Sequence, residues 1–382
     1  MKRLLSFLFA IAFAATAAAQ APQPPEVAAG SYLLIDLTSG QTLAERNADA
    51  SSDPASLTKL MTAYVVFQAL KEKRITLDQK IPVSKRAWDE RKEGGSLMFI
   101  DTTMTPTVDE LLRGTIVQSG NDSSVALAEA VGGTVEQFAA MMNRQAQAWG
   151  LKNTHFVNAT GLTDPGHKTT ARDIAVIAGH IIRDFPEFYD YYSIREYKYN
   201  NINQPNRNLL LRRDPSVDGM KTGHTEAAGY CLVASAQRDF PNGKRRLLSV
   251  VMNTASEAAR ANESQKLLNW GFAAFDAIRL FEDGKPMTTV PVWKGSENEA
   301  RLGAASAVYV TVPRGEGDKL KTTIERTDPL VAPLTKGQRV GTLKVATASG
   351  APVAEVPLVV MDEIEQAGIV GRAWDSLRLW IK

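Results

Sequence analysis

The chain has 382 residues, 44% hydrophobic and 23% charged, a globular balance that excludes a disordered chain, a collagen-like repeat and a disulfide-stapled miniprotein. Lys plus Arg (44) against Asp plus Glu (42) leaves a net charge of +2, too weakly basic for a nucleic-acid partner to be expected. One cysteine, Cys231, excludes an intramolecular disulfide and a Cys-based zinc site, and four histidines without HExxH spacing argue against a metallohydrolase.

Lys2 and Arg3 precede an apolar run from Leu4 to Ala15, and Ala17-Ala18-Ala19 follows as a small-residue cleavage pattern. Residues 1–19 read as a secretory signal peptide and the Pro-rich 20–30 as an extended leader. No other stretch reaches ~18 apolar residues, so the mature chain is not expected to cross a membrane. Ser31 to Asp36 reads as a strand, Thr38-Ser39-Gly40 as a turn and Gln41 onward as a second strand. Asp53-Pro54 opens a helix whose Leu57, Leu60, Met61, Tyr64 and Val65 form one buried face. Helical periodicity returns over 108–117, 123–131, 134–149 and 171–183. From Val217 to Asn253 the pattern turns to strands, with a Pro-Asn-Gly turn at 241–243, and 257–280 reads as helix. Together these predict an α+β domain over 31–282, its N-terminal hairpin joining the later strands in one antiparallel sheet.

Past Asp283-Gly284, short β-type runs at 290–293, 308–312, 322–325, 340–345 and 353–360 predict a small all-β domain over 283–362. In the last segment, 363–382, the apolar Ile369, Val370, Ala373, Trp374, Leu377, Trp380 and Ile381 share one helical face. Arg372, Asp375, Arg378 and Lys382 take the other, which suits an amphipathic helix lying in a lipid headgroup layer, the alternative being a helix packed on its own domain.

Three short patterns carry chemistry. In Ser56-Leu57-Thr58-Lys59 a hydroxyl and an amine stand at i and i+3 on one helix face. A serine needs a base to become a nucleophile, and a lysine serves if burial or nearby positive charge lowers its pKa. Ser119-Gly120-Asn121 places a second hydroxyl and an amide between two helical segments; the same S-x-N pattern at Ser296-Glu297-Asn298 reads as a surface turn. Lys221-Thr222-Gly223, followed by His224, offers a cation and a hydroxyl to a substrate carboxylate, with a glycine that lets a substrate backbone approach. Each pattern alone is ambiguous.

In the order S-x-x-K, S-x-N, K-T-G, the chain resembles the class A β-lactamases and penicillin-binding proteins. More narrowly, it resembles a low-molecular-mass penicillin-binding protein of the D-alanyl-D-alanine carboxypeptidase type. The likeness extends through Gly95-Ser96-Leu97-Met98-Phe99, Gly166 to Asp173, Asn206-Arg207-Asn208, Asp218 to Thr225, and Arg260 ahead of Leu267 to Phe272. It implies a β-lactamase/transpeptidase-like catalytic domain (antiparallel sheet plus helical subdomain), a small all-β domain and an anchor helix at the periplasmic face of the inner membrane. It implies a peptidoglycan stem pentapeptide as substrate, β-lactams as covalent inhibitors and no cofactor or metal.

By motif, Ser56 is the acylated nucleophile and Lys59 its base. Ser119 and Asn121 form a second wall, and Lys221 supports proton transfer and substrate. Thr222 and Arg207 meet the terminal carboxylate, with Arg260 in the same region. Ser96, Gly223 and His224 line the substrate path, and the N–H groups of Ser56 and His224 make the oxyanion hole. The other histidines are read as structural, His167 standing behind the site. The alternatives are an endopeptidase and a β-lactamase; the latter lacks its E-x-x-L-N motif between 121 and 221.

Overall fold

The computed structural model describes residues 22–241 and 243–381. The expected signal peptide, Asn242 of the expected turn and Lys382 lie outside the described residues.

The first domain is built on a five-stranded antiparallel sheet. In chain order its strands are β1 (Ser31–Asp36), β2 (Gln41–Arg46), β5 (Val217–Thr225), β6 (Gly229–Phe240) and β7 (Gly243–Thr254); a separate hairpin, β3 (Glu196–Tyr199) and β4 (Ile202–Pro205), lies between. The spatial order is β2-β1-β7-β6-β5, so the expected joining of the N-terminal hairpin to the later strands is present and β5 is an edge. Alternation along the strands sorts the core into two layers. Leu33, Val233 and Val250 face one apolar cluster; Leu34, Leu232 and Val251 face the other.

The first cluster packs against α1 (Thr58–Lys71), α3 (Val108–Arg113), α4 (Asn121–Gly132), α5 (Val135–Ala148) and α6 (Ala171–Asp184), with the short α2 (Lys85–Asp89) beside α4. The second packs against α8 (Glu257–Ala274), with the single turn α7 (Leu210–Arg213) alongside. Helix α1 departs from the one-face expectation. Every residue from Thr58 to Phe67 is buried, because α4, α5, α6 and the turn at 114–118 pack around it.

The expected helix over 257–280 ends at Ala274. Phe275 is extended (φ −130°, ψ 148°), and Phe275–Phe281 forms β8, paired antiparallel with Val308–Pro313. The apolar run through Trp270, Phe272 and Phe275 suits either period, and tertiary pairing decides it. The all-β region contains β9 (Thr288–Trp293), β10 (Glu299–Gly303), β11 (Val308–Pro313), β12 (Lys321–Arg326), β13 (Leu330–Val331), β14 (Arg339–Ala346) and β15 (Pro352–Val360). The Ser296-Glu297-Asn298 repeat of the S-x-N pattern is an exposed bend between β9 and β10.

A buried polar joint ties the two regions. Asp36 accepts from Arg245 Nε at 2.7 Å and from Thr311 Oγ1 of β11 at 2.7 Å, while Arg245 Nη1 donates to the Phe275 carbonyl at 2.8 Å. The last helix, α9 (Ile369–Ile381), meets the β region through its polar side: Asp375 accepts from Lys294 N at 2.7 Å, and Arg378 lies over the Trp293 ring at 5.4 Å. Ile369, Val370, Trp374, Leu377 and Trp380 turn outward, and Trp380 is 85% exposed, whereas Leu379 borders a cavity with Pro291 and Trp293 of the β region.

Candidate active site

The site forms where the outer edge of β5 meets the turn that leads into α1. Ala55 adopts positive φ (47°) and Ala55–Leu57 is a 3₁₀ turn, so Ser56 and Lys59 sit across a 3₁₀-to-α junction rather than inside one α-helix. The close approach depends on two glycines. A Cβ on Gly161 (φ +87°) would lie 1.8 Å from the Ala55 carbonyl oxygen, and one on Gly223 would lie 3.2 Å from that of Pro54. Ser119 is held in a left-handed conformation (φ 68°) between the π-helical turn 114–118 and α4, which turns its hydroxyl toward β5.

Lys59 is 1% exposed, and its Nζ has three oxygen partners: Ser56 Oγ at 3.1 Å, Asn121 Oδ1 at 2.8 Å and the Thr160 carbonyl at 2.6 Å. Those partners match the three protons of an ammonium. None is charged. Burial therefore pulls the Lys59 pKa from 10.5 to about 7, with Arg207 pushing the same way and Glu90 and Asp122 opposing. When the amine is neutral, two N–H groups still serve Asn121 and Thr160, and the freed lone pair faces the Ser56 hydroxyl. The same geometry then accepts the serine proton.

Lys221, 2% exposed, donates to Ser119 Oγ at 2.9 Å and to the Thr222 carbonyl at 2.9 Å. Burial, then Lys59, Arg207 and Arg260, hold its pKa well below the usual lysine range. Asp122 braces the loop opposite β5: its carboxylate accepts from the backbone N–H of Met98 at 2.8 Å and Ile100 at 3.1 Å. Asn121 N donates to the Ser96 carbonyl at 2.7 Å, which locks that loop to the start of α4.

These groups border a cavity of about 470 Å³, and the sequence-derived residues Ser56, Ser96, Ser119, Asn121, Arg207, Thr222, Gly223, His224 and Arg260 all line it. Lys59 and Lys221 reach it through their hydrogen bonds. Arg207 and Arg260 differ in availability. Arg207 is exposed and has no ion-pair partner among the described residues. Arg260 is buried; it donates to the Gly223 carbonyl at 3.2 Å and to Glu257 Oε1 at 2.8 Å, and lies over the Tyr230 ring. His224 stacks on Tyr230 with centroids 3.9 Å apart. His167 is buried behind α1, where its Nδ1 accepts from Val157 N at 3.2 Å and its Nε2 lies 2.8 Å from Thr58 Oγ1. Burial lowers its pKa to about 4, so it stays neutral. His180 stacks on Trp149 and is not among the residues that line the cavity.

Sequence reasoning missed Thr160, Gly161, Leu162, Tyr230 and Glu257, all of which line the cavity. Thr160 contributes a main-chain carbonyl, which leaves no trace in residue type. Glu257 had a readable signal, since it stands at i−3 from Arg260 on α8.

A serine whose partner is a buried lysine of lowered pKa, faced by a second serine–lysine pair on a sheet edge, is the arrangement of a serine acyl-transfer enzyme. Comparison with known proteins agrees. The family model described as D-alanyl-D-alanine carboxypeptidase matches residues 18–256, and that described as penicillin-binding protein 5, C-terminal domain, matches 275–366. The D-alanyl-D-alanine carboxypeptidase DacC of Escherichia coli is 44% identical over 379 residues, covering 98% of this chain and 94% of that protein. The crystal structure of penicillin-binding protein 5 from Haemophilus influenzae superposes with a TM-score of 0.86 at 43% identity, over 90% of this chain and 100% of that one. Penicillin-binding protein D2 of Listeria monocytogenes, solved in its ampicillin-bound form, matches with a TM-score of 0.59 at 29% identity, over 66% of this chain and 100% of that one. The chain belongs to the D-alanyl-D-alanine carboxypeptidase family, the low-molecular-mass penicillin-binding serine peptidases.

Proposed function

We propose that this protein removes the terminal D-alanine from peptidoglycan stem pentapeptides through an acyl-enzyme on Ser56. The observation that carries the residue assignment is the Lys59 amine, buried among neutral oxygens with one valence aimed at Ser56 Oγ. Neutral Lys59 takes the Ser56 proton as the oxygen attacks the carbonyl between the two D-alanines. The N–H groups of Ser56 and His224 stabilise the oxyanion. The proton taken up by Lys59 passes on by way of Ser119 and its partner Lys221 to the leaving amine, so D-alanine departs and both lysines regain their starting state. Arg207 and Thr222 bind the terminal carboxylate, the guanidinium as a two-toothed fork. Water then cleaves the ester and restores Ser56. A β-lactam acylates the same hydroxyl, because its strained amide stands in for the D-Ala-D-Ala bond; the ampicillin-bound relative supports this reading.

The outward apolar face of α9, with Ile369, Val370, Trp374, Leu377 and Trp380 exposed, supports anchorage in the outer layer of the inner membrane on its periplasmic side. No helix among the described residues is long and apolar enough to cross a membrane. The test is incubation with a D-Ala-D-Ala pentapeptide and a fluorescent penicillin, for wild type and Ser56→Ala. D-alanine release and labelling in wild type, both lost in the variant, are the expected result. Wild type that neither releases D-alanine nor takes the label refutes the reading.

A further inference from the structure

Behind the wall formed by Thr160 and Leu162 lies a second cavity, of about 340 Å³, bordered also by Arg86, Glu90, Val125 and Asn158. Thr160 and Leu162 line both cavities, so the two are separated by one layer of chain. Glu90 stands in the 3₁₀ turn that follows α2. Ser84 caps α2 by accepting from Ala87 N at 3.0 Å, which fixes the phase of the helix. Ala87 and Glu90, three apart, then face inward, while Lys85 and Arg86 face solvent.

Glu90 is only 6% exposed, and its Oε2 has no hydrogen-bond partner among the described residues. Burying a carboxylate oxygen without a hydrogen-bond partner is costly, and a nearby positive charge offsets that cost. The neighbour in need is Lys59, whose three contacts are all neutral. Asp122, the other carboxylate near Lys59, is already engaged with three backbone N–H groups. Glu90 is left as the uncommitted negative charge beside the active-site amine.

We propose that Glu90 is a positioning residue for the acylation step: a buried counter-charge, acting through the Thr160 wall, that keeps the Lys59 amine basic enough to take the Ser56 proton. This rests on Lys59 being the base. Burial, and then Arg207 from the other side of the site, drive the proton off Lys59. Glu90 and Asp122 oppose them. Around Glu90 itself stand Arg86 and Lys59, which favour its charge, and Glu93 and Asp122, which disfavour it; burial raises its carboxyl above the usual range. A base too weak accepts the serine proton poorly, and one too strong stays protonated at working pH, so the balance sets the useful range.

The test uses the full chain as wild type, Glu90→Gln, Glu90→Asp and the exposed control Asp78→Asn, which lies outside both cavities. Acylation by a fluorescent penicillin and D-alanine release are followed from pH 5 to 9, with thermal unfolding as a check on folding. Without the negative charge, Lys59 gives up its proton more easily. The acid limb of the Glu90→Gln profile therefore moves to lower pH, raising the ratio of the rate at pH 6 to that at pH 8 about threefold, while the plateau falls. Glu90→Asp keeps the charge and stays near wild type, as does Asp78→Asn. A folded Glu90→Gln whose profile superposes on wild type, or moves to higher pH, overturns the inference. Should Glu90→Gln not fold, Glu90→Met fills the same volume without a polar group and is read by the same ratio. Wild type inactive in both assays would instead refute the proposed function, so the two failures are distinguishable.

Discussion

The pH dependence of acylation tests the Lys59 assignment most sharply. Burial moves its pKa from 10.5 to about 7, and that shift corresponds to about 5 kcal/mol of differential interaction between the charged and neutral amine. Only the neutral form accepts the Ser56 proton. The second-order rate of penicillin acylation therefore falls about tenfold for each pH unit below 7, reaching roughly one hundredth of its plateau at pH 5. The linkage has a definite sign. Between about pH 7 and 10.5 the native state binds fewer protons at this site than the unfolded chain, so the contribution of Lys59 to stability rises with pH across that window. Below pH 7 both states carry the proton and the full cost is present. The assay is stopped-flow or gel-based labelling between pH 5 and 9, at fixed ionic strength. A rate that is flat from pH 5 to 8, or one that keeps rising to a midpoint near 10, would refute a neutral lysine as the base.

Three further outcomes follow from named contacts. Arg207→Ala lowers kcat/KM about ten- to hundredfold on a free-carboxylate peptide, the scale of a charged hydrogen bond, and loses that effect on the C-terminal amide. Arg260→Ala loses activity on both, because Arg260 acts through the Gly223 carbonyl; equal effects of the two variants on both peptides would contradict this division. Arg245→Met strands Asp36 as a buried charge and lowers stability by about 3–5 kcal/mol, read by chemical denaturation, whereas the double variant Asp36→Leu/Arg245→Met recovers much of the loss. Deleting residues 366–382 abolishes co-sedimentation with anionic vesicles and leaves D-alanine release from a soluble pentapeptide intact; unchanged co-sedimentation would refute anchorage by α9.

The parts of this molecule that were legible in sequence are those encoded by local spacing. Ser56 and Lys59 meet because three residues make one helical turn, and that holds even though the turn is 3₁₀ at Ser56 and α at Lys59. Strands β1, β2, β6 and β7 were legible through turn residues and β-type runs. The extent of α8 was not, since the residues from Trp270 to Phe281 satisfy helix and strand patterns alike until β11 is there to pair with them. The burial of α1 on all sides was hidden for a related reason. Thr58, Lys59 and Thr62 are polar by type, and only their partners, His167, Asn121 and the Ala159 carbonyl, make an interior position tolerable.

The two arginines show where motif reading stops. Both precede or follow recognisable landmarks, and both were assigned to the carboxylate region on likeness. Residue type says that each has five donors, but not how many remain unspent. Arg260 has given its donors to Gly223 and Glu257, and its plane rests against Tyr230, which in turn stacks on His224. It therefore fixes the strand edge on which substrate would lie. Arg207 carries no such commitments among the described residues, so its fork is available to a ligand carboxylate at little reorganisation cost. Glu257 makes the distinction: as the partner that pins Arg260, it divides one apparent cationic patch into a scaffold and a binding group.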